Sequence, residues 1–188
     1  MKRLIFLSLS LFSIAFSFGQ SVPTEPDKSP MDMSYCPNAY PVLKFQNKES
    51  QPKPNARIIY SRPQKKGREI FGAEVVKYNE VWRLGANEST EIDFFKNATI
   101  GGKKIAKGTY SIFCIPTANS WTIILNTDTD SWGSFSYDAS KDVLRTEIPT
   151  QKTDAPVEYF TMYFDNSNNL IVMWDDVKIS LPIEFATK

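Results

Sequence analysis

The sequence predicts an all-β protein, a single antiparallel β-sandwich of jelly-roll-like type with at most one short helical turn. Three observations predict this fold class. Apolar and polar residues alternate along most of the chain, turn-forming residues separate the alternating segments, and no segment keeps a helical period. The chain has 188 residues, of which 41% are hydrophobic, so it is long enough for one domain with its own core.

The first nineteen residues have the pattern of a secretory signal peptide. Residues 1–3 are basic, residues 4–18 are apolar apart from serines, and the small residues Ser17 and Gly19 precede a cleavage site. We therefore expect residues 1–19 to be removed and the mature protein to be periplasmic or secreted. The apolar run is short for a membrane, so no membrane span is expected.

Residues 20–41 follow the leader and contain five prolines among polar residues. Proline fixes φ and lacks a backbone donor, so we expect a proline-rich N-terminal arm here and no packed element. The β-sandwich domain is then expected to occupy residues 42–188.

The strand patterns begin at residue 56. In each of them every second residue is apolar, which gives the strand one face suited to the core. The segments are 56–60, 91–94, 110–115, 121–126, 159–164 and 177–183. One helical turn is expected at residues 72–79, where Val75 and Val76 would close one end of the core.

Three turn patterns separate these strands. Gly101 and Gly102 form a two-residue hairpin signal, because both central positions of a type I′ turn need positive φ. Residues 117–120 and 166–169 connect apolar segments in the same way. Residues 165–169 also alternate oxygen ligands, but they lack the glycine and glutamate of a calcium loop, so we expect a turn there.

Three tryptophans, Trp121, Trp132 and Trp174, are expected to pack in the core. The alternative for the second of them is an exposed platform for sugar rings, formed by Trp132 with Phe135 and Tyr137.

The composition excludes several classes of function. The 22 basic and 21 acidic residues nearly cancel, so neither nucleic acid nor an anionic membrane is an expected partner. The chain has no histidine, which removes Ser-His-Asp and Cys-His catalysis and the commonest ligand of catalytic zinc. No cofactor and no metal site are expected. Cys36 and Cys114 are expected to remain free thiols, although an oxidising compartment would permit a disulfide.

Strong hydrogen-bonding and aromatic side chains gather between residues 60 and 91. Arginine offers a planar fork suited to carboxylates, and tryptophan a flat face suited to a sugar ring. The candidate ligand-binding residues are Arg62, Arg68, Trp82, Arg83, Asn87 and Glu88. With equal weight, the three arginines would instead pair with nearby glutamates and hold loops together at one end of the sandwich.

Several ordered segments make the chain resemble a known family. They are YSRPQKKGREIFG from residue 60, VWRLGANESTEI from 81, IGGKKIAKGTYSIFCIP from 100, WTIILN from 121, WGSFSYD from 132 and VMWDDVKISLPI from 172. Together they resemble domain of unknown function 2911, a family of exported bacterial proteins, over roughly residues 27–185. The resemblance implies export and a single domain. It implies no reaction, ligand or catalytic residue.

Three functions follow as hypotheses, and the sequence shows no pair of nucleophile and base that would assign a catalytic residue. The preferred one is a non-enzymatic domain that binds a small polar or carbohydrate-like ligand, or an envelope protein, through the loops between Arg62 and Glu88. The second is a carboxylate-based glycan hydrolase or lyase that uses Glu88 and Glu91 as acid and base. The third is a structural module of the envelope with no ligand.

Overall fold

The computed structural model describes residues 25–47 and 53–186, so the predicted signal peptide lies outside the described residues. The strands are β1 (Met31–Cys36), β2 (Ala56–Ser61), β3 (Glu91–Phe94), β4 (Ala98–Ile100), β5 (Lys103–Ile105), β6 (Gly108–Pro116), β7 (Ser120–Asn126), β8 (Asp142–Pro149), β9 (Gln151–Phe164), β10 (Leu170–Leu181) and β11 (Glu184–Phe185). The helices are α1 (Tyr40–Gln46) and a 3-10 turn at Ala139–Lys141. The predicted all-β class is confirmed.

Antiparallel pairing organises the strands into three sheets. The large sheet has six strands in the order β1-β2-β3-β6-β7-β8, a long hairpin joins β9 to β10, and a small sheet has the order β11-β4-β5. The finer jelly-roll-like arrangement is not confirmed.

The core lies between the large sheet and the β9-β10 hairpin. One hydrophobic cluster contains the inward residues of both layers, which recur at every second position as the sequence predicts. From the large sheet these include Ile58, Tyr60, Ile92, Ile112, Trp121 and Ile123, and from the hairpin Phe160, Met162, Phe164, Val172 and Trp174.

The predicted turns are confirmed. Gly101 and Gly102 have φ of 56° and 77° and join Ile100 directly to its partner Lys103. Residues 117–120 connect β6 to β7, and residues 165–169 connect β9 to β10. The Asp165 carboxylate accepts hydrogen bonds from the backbone N–H groups of Ser167 and Asn169, so its oxygens are used within the turn.

The N-terminal arm contains packed structure that we did not expect. β1 lies between Pro30 and Pro37 and pairs with β2 over its whole length. An edge strand needs hydrogen bonds on one side only, and the prolines flank this strand without interrupting it. α1 follows, with Pro41 in its first turn, where a missing N–H costs nothing.

The helical turn expected at residues 72–79 is wrong. Phe71 and Val76 instead form a short bridge, and two backbone hydrogen bonds join Gly72 N–H to the Val76 oxygen and Val76 N–H to the Ile70 oxygen. Gly72 adopts a φ of 78°, which ends any helical path. Val76 is buried in the core as expected.

Two of the three tryptophans occupy the core, Trp121 and Trp174, and each is 1% exposed. The expectation for Trp132 is wrong, because 59% of it is exposed. In the same loop after β7, a different aromatic residue contacts the large sheet, because the Tyr137 ring packs on Phe113 of β6 at 5.2 Å.

Candidate functional site

The segment around Arg83 extends the large sheet beyond the end of β3. Trp82 exchanges two backbone hydrogen bonds with Cys114 of β6, at 2.8 and 2.9 Å. Trp82 and Leu84 are buried, while Arg83 between them is partly exposed. Gly85 follows with a φ of 152°, and a Cβ there would lie 3.2 Å from the Ser61 oxygen, so the chain can pass close to β2 only with glycine.

Trp82 belongs to an aromatic cluster in the core. Its ring stacks on Trp174 at 6.1 Å and 19°, and the edges of Trp121 and Phe160 approach at 5.8 and 5.3 Å. The indole N–H donates to the Gly85 oxygen at 3.2 Å. Only 6% of Trp82 is exposed, so it presents its rim to solvent and offers no flat face on which a sugar ring could stack.

A cavity of about 440 Å³ opens beside this cluster, and we call it the basic cavity. Its cationic lining residues are Lys28, Lys66, Arg68 and Arg83, and the two stacked tryptophans also contribute to its wall. No aspartate or glutamate is among the described residues that line it. Four positive side chains therefore share one concave space, where the potential favours an anion.

Arg83 is the least satisfied of the four cations. Its Nε is buried and has no hydrogen-bond partner among the residues that the structure describes. No carboxylate of those residues forms an ion pair with it either. Burial lowers the pKa of the guanidinium below its usual value. A buried donor without an acceptor costs about 1–3 kcal/mol, so this group is poised for an acceptor from outside the chain.

Arg68 is held in place but not neutralised. Its Nε donates to the Lys65 oxygen at 2.9 Å and its Nη2 to the Gln64 oxygen at 2.5 Å. These acceptors are backbone carbonyls, which orient the guanidinium without cancelling its charge. In the described part of the chain, the ammonium groups of Lys28 and Lys66 also lack an ion pair.

Arg62 lies outside the basic cavity and has a structural role. Its Nη1 pairs with Asp32 at 3.0 Å, and its Nε and Nη2 donate to the Phe160 oxygen and the Thr161 hydroxyl at 3.2 and 3.0 Å. The guanidinium thus ties β1 and β9 to the end of β2. This is the loop-holding arrangement considered from the sequence, although the carboxylate comes from β1.

Asn87 lies at the edge of the site and holds the N-terminal segment against it. Its Nδ2 donates to the Asp27 carboxylate at 3.0 Å, and the same oxygen accepts the Ser29 N–H at 2.6 Å. Because Lys28 stands between Asp27 and Ser29, these two bonds fix the backbone that carries it to the cavity.

Glu88 faces a separate, smaller cavity of about 280 Å³, which it shares with Glu91. The Glu91 carboxylate accepts the backbone N–H of Asp130 at 2.6 Å and so anchors the loop after β7. The structure therefore gives Glu91 an architectural contact, and it separates Glu88 from the basic cavity.

Sequence reasoning missed two members of the basic cavity, Lys28 and Lys66. Lys66 stands in the run Lys65-Lys66-Gly67-Arg68, whose density of positive charge was visible. Lys28 lies in the proline-rich segment, far from the others in sequence, and only the pairing of β1 with β2 brings it near.

The two cysteines are free, as expected, and both are buried. Burial is the main cause that raises the pKa of Cys36 to about 11, so this thiol stays protonated at neutral pH. Within the described residues, no cluster of three or more potential metal-binding side chains occurs, and no helix has the length and apolar character to cross a membrane.

Comparison with protein families gives one match. The family described as "Protein of unknown function (DUF2911)" matches residues 44–183. The chain belongs to this family. The matched region includes Lys66, Arg68 and Arg83 but not Lys28. No curated protein and no solved structure matches the chain significantly.

Proposed function

We propose that this member of the DUF2911 family is a non-enzymatic binding domain that takes up a small anionic ligand in the basic cavity. The observation that carries the proposal is the buried Nε of Arg83, which lacks an acceptor in a cavity lined by three further cations. An anion would supply the acceptor and reduce the repulsion among four like charges.

The size of the cavity favours a small molecule over a protein surface. Its volume of about 440 Å³ falls in the range of about 300–1,000 Å³ that is usual for small-molecule sites. The positive charge of the cavity favours an acidic ligand. A neutral sugar that stacks on tryptophan has less support, because the faces of Trp82 are already covered by other rings.

The two other hypotheses have less support. A glycan hydrolase would need the Glu91 carboxylate for chemistry, whereas this group already bonds the Asp130 N–H. A purely structural module gives no reason for a concave site of unpaired cations. The leader pattern of residues 1–19 supports a periplasmic or secreted location, which remains part of the proposal.

The test compares anions with a neutral control on the purified protein, by calorimetry and by thermal shift. We expect phosphate, sulfate and glucuronate to raise the melting temperature and glucose to leave it unchanged. Arg83→Met should weaken anion binding by about tenfold or more, since a charge-assisted contact contributes about 1.5–3 kcal/mol.

Arg57→Met is the matched control, because Arg57 lies on β2 and its guanidinium pairs with Asp93 outside the cavity. It should bind anions as the wild type does. If no anion shifts the melting temperature, or if Arg83→Met binds anions normally, the proposal is wrong.

A further inference from the structure

The basic cavity holds more positive charge than a ligand with one negative charge can balance. Four cations line it, and two carboxylates lie beside it, Asp27 at the Ser29 N–H and Glu158 at the Lys66 N–H, so a bound monoanion still leaves positive charge uncompensated. They come from three separate parts of the chain: Lys28 precedes β1, Lys66 and Arg68 follow β2, and Arg83 precedes β3. A ligand that contacts all three parts needs acceptors that point in several directions.

We infer that the ligand is a phosphate monoester with a neutral polar body, an inference that rests on the proposed function. A phosphate monoester carries nearly two negative charges at pH 7 on one tetrahedral group with three strong acceptor oxygens. Such a group can accept from arginine forks and lysine ammonium groups of different segments at once. A carboxylate has one charge and a planar pair of oxygens.

The cavity is much larger than a phosphate group alone. A volume of about 440 Å³ corresponds to about 15 water molecules at about 30 Å³ each. The uncharged part of its lining includes the polar residues Ser29 and Gln64 and the apolar residues Val75 and Ala86. The uncharged lining can accommodate the neutral portion of the ligand, which would make hydrogen bonds as a sugar or a polyol does.

The aromatic residues of the cavity select against a nucleobase. The indole rings of Trp82 and Trp174 stack on one another and are almost completely buried, so neither offers a face to a planar base. Base recognition usually depends on such stacking. The body is therefore held by hydrogen bonds, and a sugar phosphate fits better than a nucleotide.

The experiment measures the dissociation constants of matched probes by calorimetry at pH 7.5. Glucose 6-phosphate and glucose 6-sulfate have the same body and a tetrahedral head but differ by about one charge. We expect the phosphate ester to bind about tenfold or more tightly than the sulfate ester, and also more tightly than inorganic phosphate, malate or adenosine monophosphate.

A second readout uses the pH dependence of this pair. The second pKa of a phosphate monoester is about 6, so its binding should weaken several-fold between pH 7.5 and pH 5 as it loses one charge. The charged groups around the site are Lys28, Lys66, Arg68 and Arg83, with the Asp27 and Glu158 carboxylates beside it at the Ser29 and Lys66 N–H groups. The sulfate ester meets the same groups and keeps its single charge over this range. Binding of the sulfate ester should therefore not change.

A variant tests the contribution of the N-terminal segment. Lys28→Gln should weaken binding of glucose 6-phosphate by about three- to tenfold, whereas Lys103→Gln, on an exposed strand away from the cavity, should not. Equal binding in wild type and Lys28→Gln would contradict a site that spans the three segments.

The outcomes separate this inference from the proposed function. If both esters bind equally, or if malate or adenosine monophosphate binds more tightly than glucose 6-phosphate, the inference fails but an anion site remains. If no anion binds at all, both fail.

Discussion

Replacing Arg83 by methionine should stabilise the protein in the absence of ligand. The substitution keeps a long flexible side chain in place of the guanidinium stem and removes a buried donor that has no acceptor in the described structure. It also removes one of the four like charges of the basic cavity. Both changes act in the same direction.

The magnitude follows from the unsatisfied group. Leaving a buried donor unpaired costs about 1–3 kcal/mol, so Arg83→Met should raise the free energy of unfolding by roughly that amount. For a domain of this size each kcal/mol corresponds to about 2–4 °C in melting temperature, which gives a rise of roughly 2–12 °C.

The assay is urea unfolding followed by tryptophan fluorescence, in a Tris-chloride buffer without phosphate or sulfate. The matched control is again Arg57→Met. Arg57 donates two hydrogen bonds to the half-buried Asp93 carboxylate, at 2.9 and 2.6 Å. Removing it leaves that carboxylate with one hydrogen-bond donor, the Thr109 hydroxyl at 2.7 Å, so the control variant should lose about 1–2 kcal/mol.

A loss of stability greater than about 1 kcal/mol in Arg83→Met would refute the reasoning. Such a loss would mean that the Arg83 guanidinium makes a stabilising contact within the protein and does not lack an acceptor. The same variant should show a smaller increase in melting temperature than the wild type on addition of phosphate, which links the two measurements.

Three further predictions concern the scaffold. In urea unfolding, Gly101→Ala should destabilise the protein more than Gly102→Ala. An alanine at either position should cost about 1–2 kcal/mol, because both glycines have positive φ. Only the Cβ at position 101 would also meet the Thr146 hydroxyl, at 2.6 Å. Phe160→Ala should cost about 3–5 kcal/mol, because the ring is fully buried in the core, and a smaller loss in the same assay would argue against that packing. Between pH 9 and about 11 the free energy of unfolding should fall as pH rises, because burial raises the pKa of Cys36 to about 11 and the unfolded state releases this proton first. In Cys36→Ala the urea midpoint should fall less steeply over the same range.

The strand pattern was predictable because it depends on local chemistry. An inward residue at every second position marks a strand with one face on the core, and Gly101-Gly102 marks a tight hairpin, whatever lies elsewhere in the chain. The failures depend on contacts between distant residues. β1 was missed because its neighbouring prolines dominated the local pattern, while its pairing with β2 depends on residues 20 to 30 positions away.

Trp132 and Arg62 show the same limit at the level of single side chains. A tryptophan is expected to be buried, but Trp132 is 59% exposed, and the aromatic ring of this loop that packs on the sheet is Tyr137. An arginine in a polar loop is suited equally to a ligand and to a carboxylate of the chain, and Asp32 decides the case for Arg62. No feature within the local sequence distinguishes Arg62 from Arg83.

The basic cavity shows how little the net charge of a chain says about a site. The 22 basic and 21 acidic residues nearly cancel over the whole sequence, and this balance argued against strongly charged partners. At physiological ionic strength, however, charges on the surface are screened beyond about 8 Å, so a ligand in the cavity experiences the nearby cations and little of the remaining charge. The chain pairs Arg57 and Arg62 with aspartates, so carboxylates capable of neutralising arginines are available to this fold. No carboxylate of the described residues lines the cavity, and the two beside it, Asp27 and Glu158, accept backbone N–H groups and form no ion pair with its cations. The field of the cavity is therefore a local property that favours a compact anion and not an extended polyanion.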